Sequence, residues 1–79
     1  MSRNIKMIWD FRGMDAQKIA EHHEIHLKEY ILSNNLDCTI TGFTSYGDMH
    51  SIAFMVIKEA DMISVRDTLR PQRAEVYEM

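Results

Sequence analysis

The feature that most constrains this chain is a change of hydrophobic period between residues 5 and 33. In IKMIWDF (5–11), Ile5, Met7, Trp9 and Phe11 point one way and Lys6, Ile8 and Asp10 the other. That is the period-two pattern of a half-buried strand. RGMD follows as a turn, with Asp15 placed to cap a helix. From Asp15 to about Ser33 the period becomes helical: Ala16, Ile19, His23, Leu27, Tyr30 and Ile31 fall on one face. NNLD ends the helix, because asparagine tolerates the left-handed backbone required there.

The rest of the chain alternates in the same way. CTITGFTSY (38–46) is rich in β-branched and aromatic residues and predicts a second strand. GDMH (47–50) is a short turn, so the third strand, SIAFMVIK (51–58), returns antiparallel to the second. ADMISVRDTLR (60–70) predicts a short helix presenting Met62, Val65 and Leu69, with Asp61 near its start and Arg70 at its end. Pro71 stops it, and AEVYEM is a last short strand. No linker, repeat or low-complexity segment interrupts residues 1–79, which read as a single domain.

The order β-α-β-β-α-β predicts an α+β, ferredoxin-like fold: a four-stranded antiparallel sheet with both helices on one face. Ile5, Met7, Trp9, Cys38, Ile40, Ile52, Phe54, Val56 and Val76 are expected on the helix-covered face. The opposite face would carry Ile8, Phe43, Ala53, Met55, Ile57 and Tyr77, interspersed with Asp10, Thr39, Thr41 and Ser51. So apolar a face is uncomfortable in water, and a sheet-to-sheet homodimer would cover it. Size argues the same way: with 79 residues, only roughly 60% of the unfolded surface is buried on folding.

Composition limits the function classes. A net charge of −3 leaves no electrostatic footprint for nucleic acid or anionic lipid. The third strand faintly echoes the stacking motif of RNA-recognition domains, but Ile52 replaces an aromatic there, and nucleic acid is excluded. No signal-peptide run or membrane span is apparent, so a reducing cytoplasm is the expected compartment. The single Cys38 has no disulfide partner and no identifiable base. Of seven methionines, Met7, Met55 and Met62 lie on apolar faces and read as core filler. No motif for an organic cofactor is present.

DAQKIAEHHEIHL in the first helix and VIKEADMISVRDTL…AEVYEM at the end resemble the small dimeric α+β barrel proteins. Within that group the chain is similar to a compact nickel-binding family, long labelled a domain of unknown function, related to a streptomycete member. The resemblance implies a metal site in the first helix, where a histidine and an acidic residue three positions on match His23 and His26 here. The family's histidine near the end of the second helix falls close to Leu69.

The helix itself, AEHHEIHLKEY (20–30), allows three readings. In the first, His22 and His26 form an i, i+4 pair on one face, which Glu29 extends, with His23 and His50 as further candidates. Two imidazoles and a carboxylate suit nickel or zinc. In the second, Asp10, Thr39, Thr41, Ser51 and Tyr77 line a pocket on the open sheet face, where His23 or His26 works with Asp10 on a small molecule without a cofactor. In the third, His23 packs in the core, Glu24 and Lys28 make an i, i+4 ion pair on a solvated edge, and the dimer itself is the product. Arg66, Arg70 and Arg73 offer either an anion site or a solvated helix end.

Overall fold

The computed structural model describes residues 3–36 and 40–77. The elements follow the expected order: β1 (Asn4–Arg12), α1 (Ala16–Ser33), β2 (Ile40–Gly47), β3 (His50–Lys58), α2 (Met62–Leu69) and β4 (Arg73–Tyr77). A single 3-10 turn over Glu59–Asp61 leads into α2. The strands form one antiparallel sheet in the order β2-β3-β1-β4, the ferredoxin-like arrangement. β1 and β3, the two strands with apolar residues on both faces, occupy its centre. No helix is long and apolar enough to cross a membrane.

Local chemistry sets the boundaries. The turn after β1 needs Gly13, whose φ of 114° disfavours any side chain. Its N–H donates to the Met49 carbonyl (2.9 Å) and its carbonyl accepts from Ala16 (3.1 Å), tying the start of α1 to the β2–β3 hairpin. Asp15 stands at the cap position but its side chain makes no capping hydrogen bond. At the other end the Asn34 backbone N–H donates to the Tyr30 carbonyl, and Asn35 takes the left-handed conformation (φ 51°) expected of asparagine there.

One face of the sheet holds the core. Ile5, Met7 and Trp9 of β1 and Ala53, Met55 and Ile57 of β3 pack with Ala20 and Leu27 of α1 and Val65 of α2, so both helices cover this face. The Trp9 indole N–H donates to the Leu69 carbonyl (2.9 Å), satisfying a buried donor and one of the free carbonyls at the end of α2. On α1 the buried stripe is Ala16, Ala20 and Leu27, whereas Ile19 is exposed, contrary to the sequence expectation. The alanines supply the narrow side of the helix and Ile19 is turned outward.

β3 has the opposite phase to the one expected. Met7 pairs with Met55 and Trp9 with Ala53, so Ala53, Met55 and Ile57 face the helices, while Ile52, Phe54 and Val56 lie on the open face. In β2, Phe43 pairs with Ala53 and packs on the core, and Ile40 pairs with Val56 on the open side. Val76 and Tyr77 keep the faces expected of them, opposite Ile5 and Asn4. Cys38 and Thr39 lie outside the described residues. The reason for the inversion is that SIAFMVIK is apolar at every second and every first position, so it carries no phase of its own. Packing decides the phase: small Ala53 stands opposite the large Trp9 indole, and the side chain of Phe54 lies over Gly42, its direct partner in β2.

The open face is covered from within the chain. Ile8, Ile52 and Val56 are only 2%, 1% and 5% exposed. Phe54, Lys6 and Arg73 surround Ile8 in the register, and the Lys6 ammonium sits 4.4 Å from the Phe54 ring centroid. The apolar surface that made a sheet-to-sheet partner desirable is therefore largely buried by neighbouring side chains.

Candidate functional site

The docking of α1 separates its three histidines. His22 and His26 project to solvent with their rings at 78° and their Nε2 atoms 2.9 Å apart. At that distance one nitrogen donates a hydrogen to the other. Nδ1 of His26 stands 3.6 Å from Glu29 Oε1, just beyond hydrogen-bond range. Glu29 thus lies on the Nδ1 side of the ring, away from the two Nε2 atoms.

His23 behaves differently. Its ring packs 5.0 Å from Trp9 and 5.4 Å from Phe11, and its Nε2 is buried with no hydrogen-bond partner among the described residues. Burial pushes its pKa below the ordinary histidine value, and the neighbouring His26 and His22 push it the same way. It is a half-buried side chain at the edge of the core whose neutral form is favoured. The first-helix position that the family resemblance assigned to His23 is accordingly turned away from His22 and His26. Leu69, the second position of that resemblance, packs against the core.

His50 sits on the open sheet face, across the sheet from α1, so it does not join the helix pair. Its Nε2 lies 3.0 Å from Asp10 Oδ1. Arg73 reaches the same carboxylate, its Nε donating to Oδ2 (3.0 Å) and a terminal nitrogen to Oδ1 (3.3 Å). The hydrogen bonds from Arg73 and then from His50 hold the Asp10 carboxyl below the ordinary carboxylate range, against a smaller opposing effect of burial. The Tyr46 ring leans on His50 at 5.4 Å from a one-residue irregularity in the hairpin, between Ser45 and Gly47. The Asp10 backbone N–H, beyond the β4 ladder, donates to the Gln72 side chain (3.0 Å). This cluster clasps β3, β1 and β4 together at one end of the sheet. Periodicity did not reveal it; the like parity of Asp10 and His50, together with the hairpin register, was the only signal.

The five residues expected to line a sheet-face pocket do not meet. Asp10 and Tyr77 share the open face, but Tyr77 stands opposite Asn4, six residues along β1 from Asp10 and so about 20 Å away. Thr41 and Ser51 are on the helix side: Thr41 donates to Glu24 (3.1 Å) and the buried Ser51 shares a hydrogen bond with the exposed Ser45 (2.9 Å). Thr39 lies outside the described residues. The sheet separates Asp10 from His23 and His26, so no acid–base pair forms between them. The arginines also diverge: Arg66 pairs with Asp67 (3.3 Å) while Arg73 is held by Asp10. The Glu24–Lys28 pair forms as the i, i+4 spacing predicts, at 3.7 Å.

The helix pair is the arrangement best shaped to hold an ion. Two imidazole nitrogens about 2.05 Å from one metal lie about 2.9 Å apart at a 90° angle and about 3.3 Å apart at the tetrahedral angle. The observed 2.9 Å matches the 90° spacing, and the hydrogen shared between the two nitrogens would have to move to an Nδ1 before both could face one ion. Among the described residues, however, no group of three or more histidine, cysteine, aspartate or glutamate side chains converges. One chain therefore brings two imidazole nitrogens together, with the Glu29 carboxylate beside one of the rings. No protein family matches the chain, and neither the curated proteins nor the solved structures provide a match.

Proposed function

We propose that the outward side of α1 binds a first-row divalent metal ion, nickel or zinc, through Nε2 of His22 and His26. The observation that carries this reading is the 2.9 Å separation of the two nitrogens on consecutive turns of one helix. The helix backbone sets the spacing of the two rings in advance, which lowers the ordering cost of chelation. Glu29 supports the reading from the side: a carboxylate at Nδ1 of a ligating histidine fixes the tautomer and raises the basicity of Nε2. When bound, the ion supplies a Lewis-acidic centre on an exposed surface, with positions left over for water or for donors from another molecule.

Calorimetric titration of nickel and zinc into chelator-treated protein tests this. Saturable binding is expected in the wild type and none in His22→Ala/His26→Ala. Glu29→Gln is expected to bind about tenfold more weakly, at the low end for loss of an orienting carboxylate because the group is exposed. Absence of wild-type binding, or equal binding by the double variant, overturns the proposal.

A further inference from the structure

We infer that a second copy of this chain completes the metal site, with α1 and its counterpart packed antiparallel and four imidazoles around one ion. This inference rests on the metal-binding reading above. The first ground is that the site is unfinished in one chain: two nitrogens converge and no third donor joins them among the described residues. A closed four-coordinate site requires two more.

The second ground is the surface around the pair. Four of the eight large apolar side chains left exposed among the described residues belong to α1 or to the turn before it: Met14, Ile19, Ile25 and Leu32. Met14, Ile25 and Leu32 are 87%, 50% and 78% exposed, whereas the same helix buries Ala16, Ala20 and Leu27 on its opposite side. Lys18, His22, Ile25, Glu29 and Leu32 follow one another in alternating steps of four and three, the spacing of a helix–helix seam.

The third ground is that this seam complements itself. A two-fold axis midway between His22 and His26 sets residues whose numbers sum to about 48 across from one another. His22 then meets His26 of the second copy, and His26 meets His22. Lys18 lies six residues from the axis and Glu29 five, so with a rise of about 1.5 Å per residue the cation of one copy stands level with the carboxylate of the other to within about 1.5 Å. Symmetry makes that opposite-charge contact twice. On the same side of the seam Ile25 faces Ile25 of the second copy near the axis, and Met14 faces Leu32. Self-complementarity of charge and apolar surface about one axis is the requirement for an isologous interface, and it selects a second copy over an unrelated helix.

The test is the molar mass by light scattering, with and without metal, alongside calorimetric stoichiometry, using nickel and zinc chloride as the probes. Addition of metal is expected to double the metal-free mass, with half an equivalent bound per chain, and His22→Ala/His26→Ala is expected to abolish both changes. Ile25→Glu retains both imidazoles and replaces a half-exposed side chain outside the core cluster, and it is expected to weaken metal-induced dimerisation at least tenfold. Binding of one equivalent per chain with no change in mass overturns the shared site while leaving the metal-binding reading intact. Absence of binding overturns both. Metal-dependent doubling that Ile25→Glu leaves unaffected overturns the α1 interface.

Discussion

The cover of the open sheet face can be tested at Gly42. A Cβ built at this position would lie 2.6 Å from Cζ and 3.0 Å from Cε2 of Phe54, its direct cross-strand partner. Carbon atoms prefer about 3.5–4.0 Å, so Gly42→Ala must drive the ring outward by roughly 1 Å. Moving the ring disturbs its packing beside Ile8, its cross-strand neighbour, and its contact with the Lys6 ammonium. Overpacking of this kind costs about 1–3 kcal/mol, and a half-buried ring with room to pivot belongs near the low end. Against that cost, replacing glycine by alanine inside a strand contributes roughly 0.5–1 kcal/mol of stability through backbone entropy. The expected net effect is a destabilisation of about 1 kcal/mol. Phe54→Leu removes the very atoms that would clash, so in that background Gly42→Ala should become stabilising by about 0.5 kcal/mol. The coupling between the two sites, about 1.5 kcal/mol, lies within the range for residues in contact. Urea unfolding of the four variants measures it, and the corresponding Tm shift for a domain of this size is about 4–8 °C per kcal/mol. Stabilisation by Gly42→Ala in the wild type, or equal effects in both backgrounds, would refute the account of how this face is covered.

Two further predictions concern the charged and titratable groups around the sheet. Asp10→Asn should lower stability by about 1–2 kcal/mol at neutral pH, because it weakens charge-assisted hydrogen bonds to Arg73 and His50. Since the folded pKa of Asp10 is lowered, its contribution is present above the ordinary carboxylate value of 3.8 and disappears as pH falls through the folded value. Chemical unfolding from pH 5 to pH 2 should therefore show a smaller acid loss in the variant; an unchanged profile would contradict the clasp. His23→Leu should raise stability at pH 7 by about 1 kcal/mol by removing a buried nitrogen without a partner. Here too the folded pKa is lowered, so the unfolded chain binds the proton first, and wild-type stability declines as pH falls below the histidine value of 6.5. The variant should be less sensitive between pH 7 and 5, and an identical slope in melting experiments would contradict a half-buried, neutral His23.

The pairing of His22 with His26 was legible in the sequence. A period of 3.6 sets residue 26 about 40° from 22 and residue 23 about 60° from 26, so it was the docking of the helix that turned His23 onto Trp9 and Phe11. That Glu29 would lie on the Nδ1 side of His26, and that the pair would point to open solvent beside Ile25 and Leu32, depended on side-chain placement and on where the helix docks. The partnership of His50 with Asp10 was beyond local pattern, because it joins residues 40 apart through the register of two central strands.

For this protein the sequence alone determined the element order, the strand–helix alternation and the turns, since these follow from backbone preferences and from periods that any window of about ten residues displays. It also determined which side of β1 is apolar, because IKMIWDF alternates. The phase of β3 was decided only by tertiary packing. An unbroken apolar run has no preferred face, and the choice between faces came from fitting Ala53 beneath Trp9 and the Phe54 ring over Gly42. That choice in turn separated Ser51 and Thr41 from Asp10 and placed the Asp10–His50–Arg73 clasp on the open face.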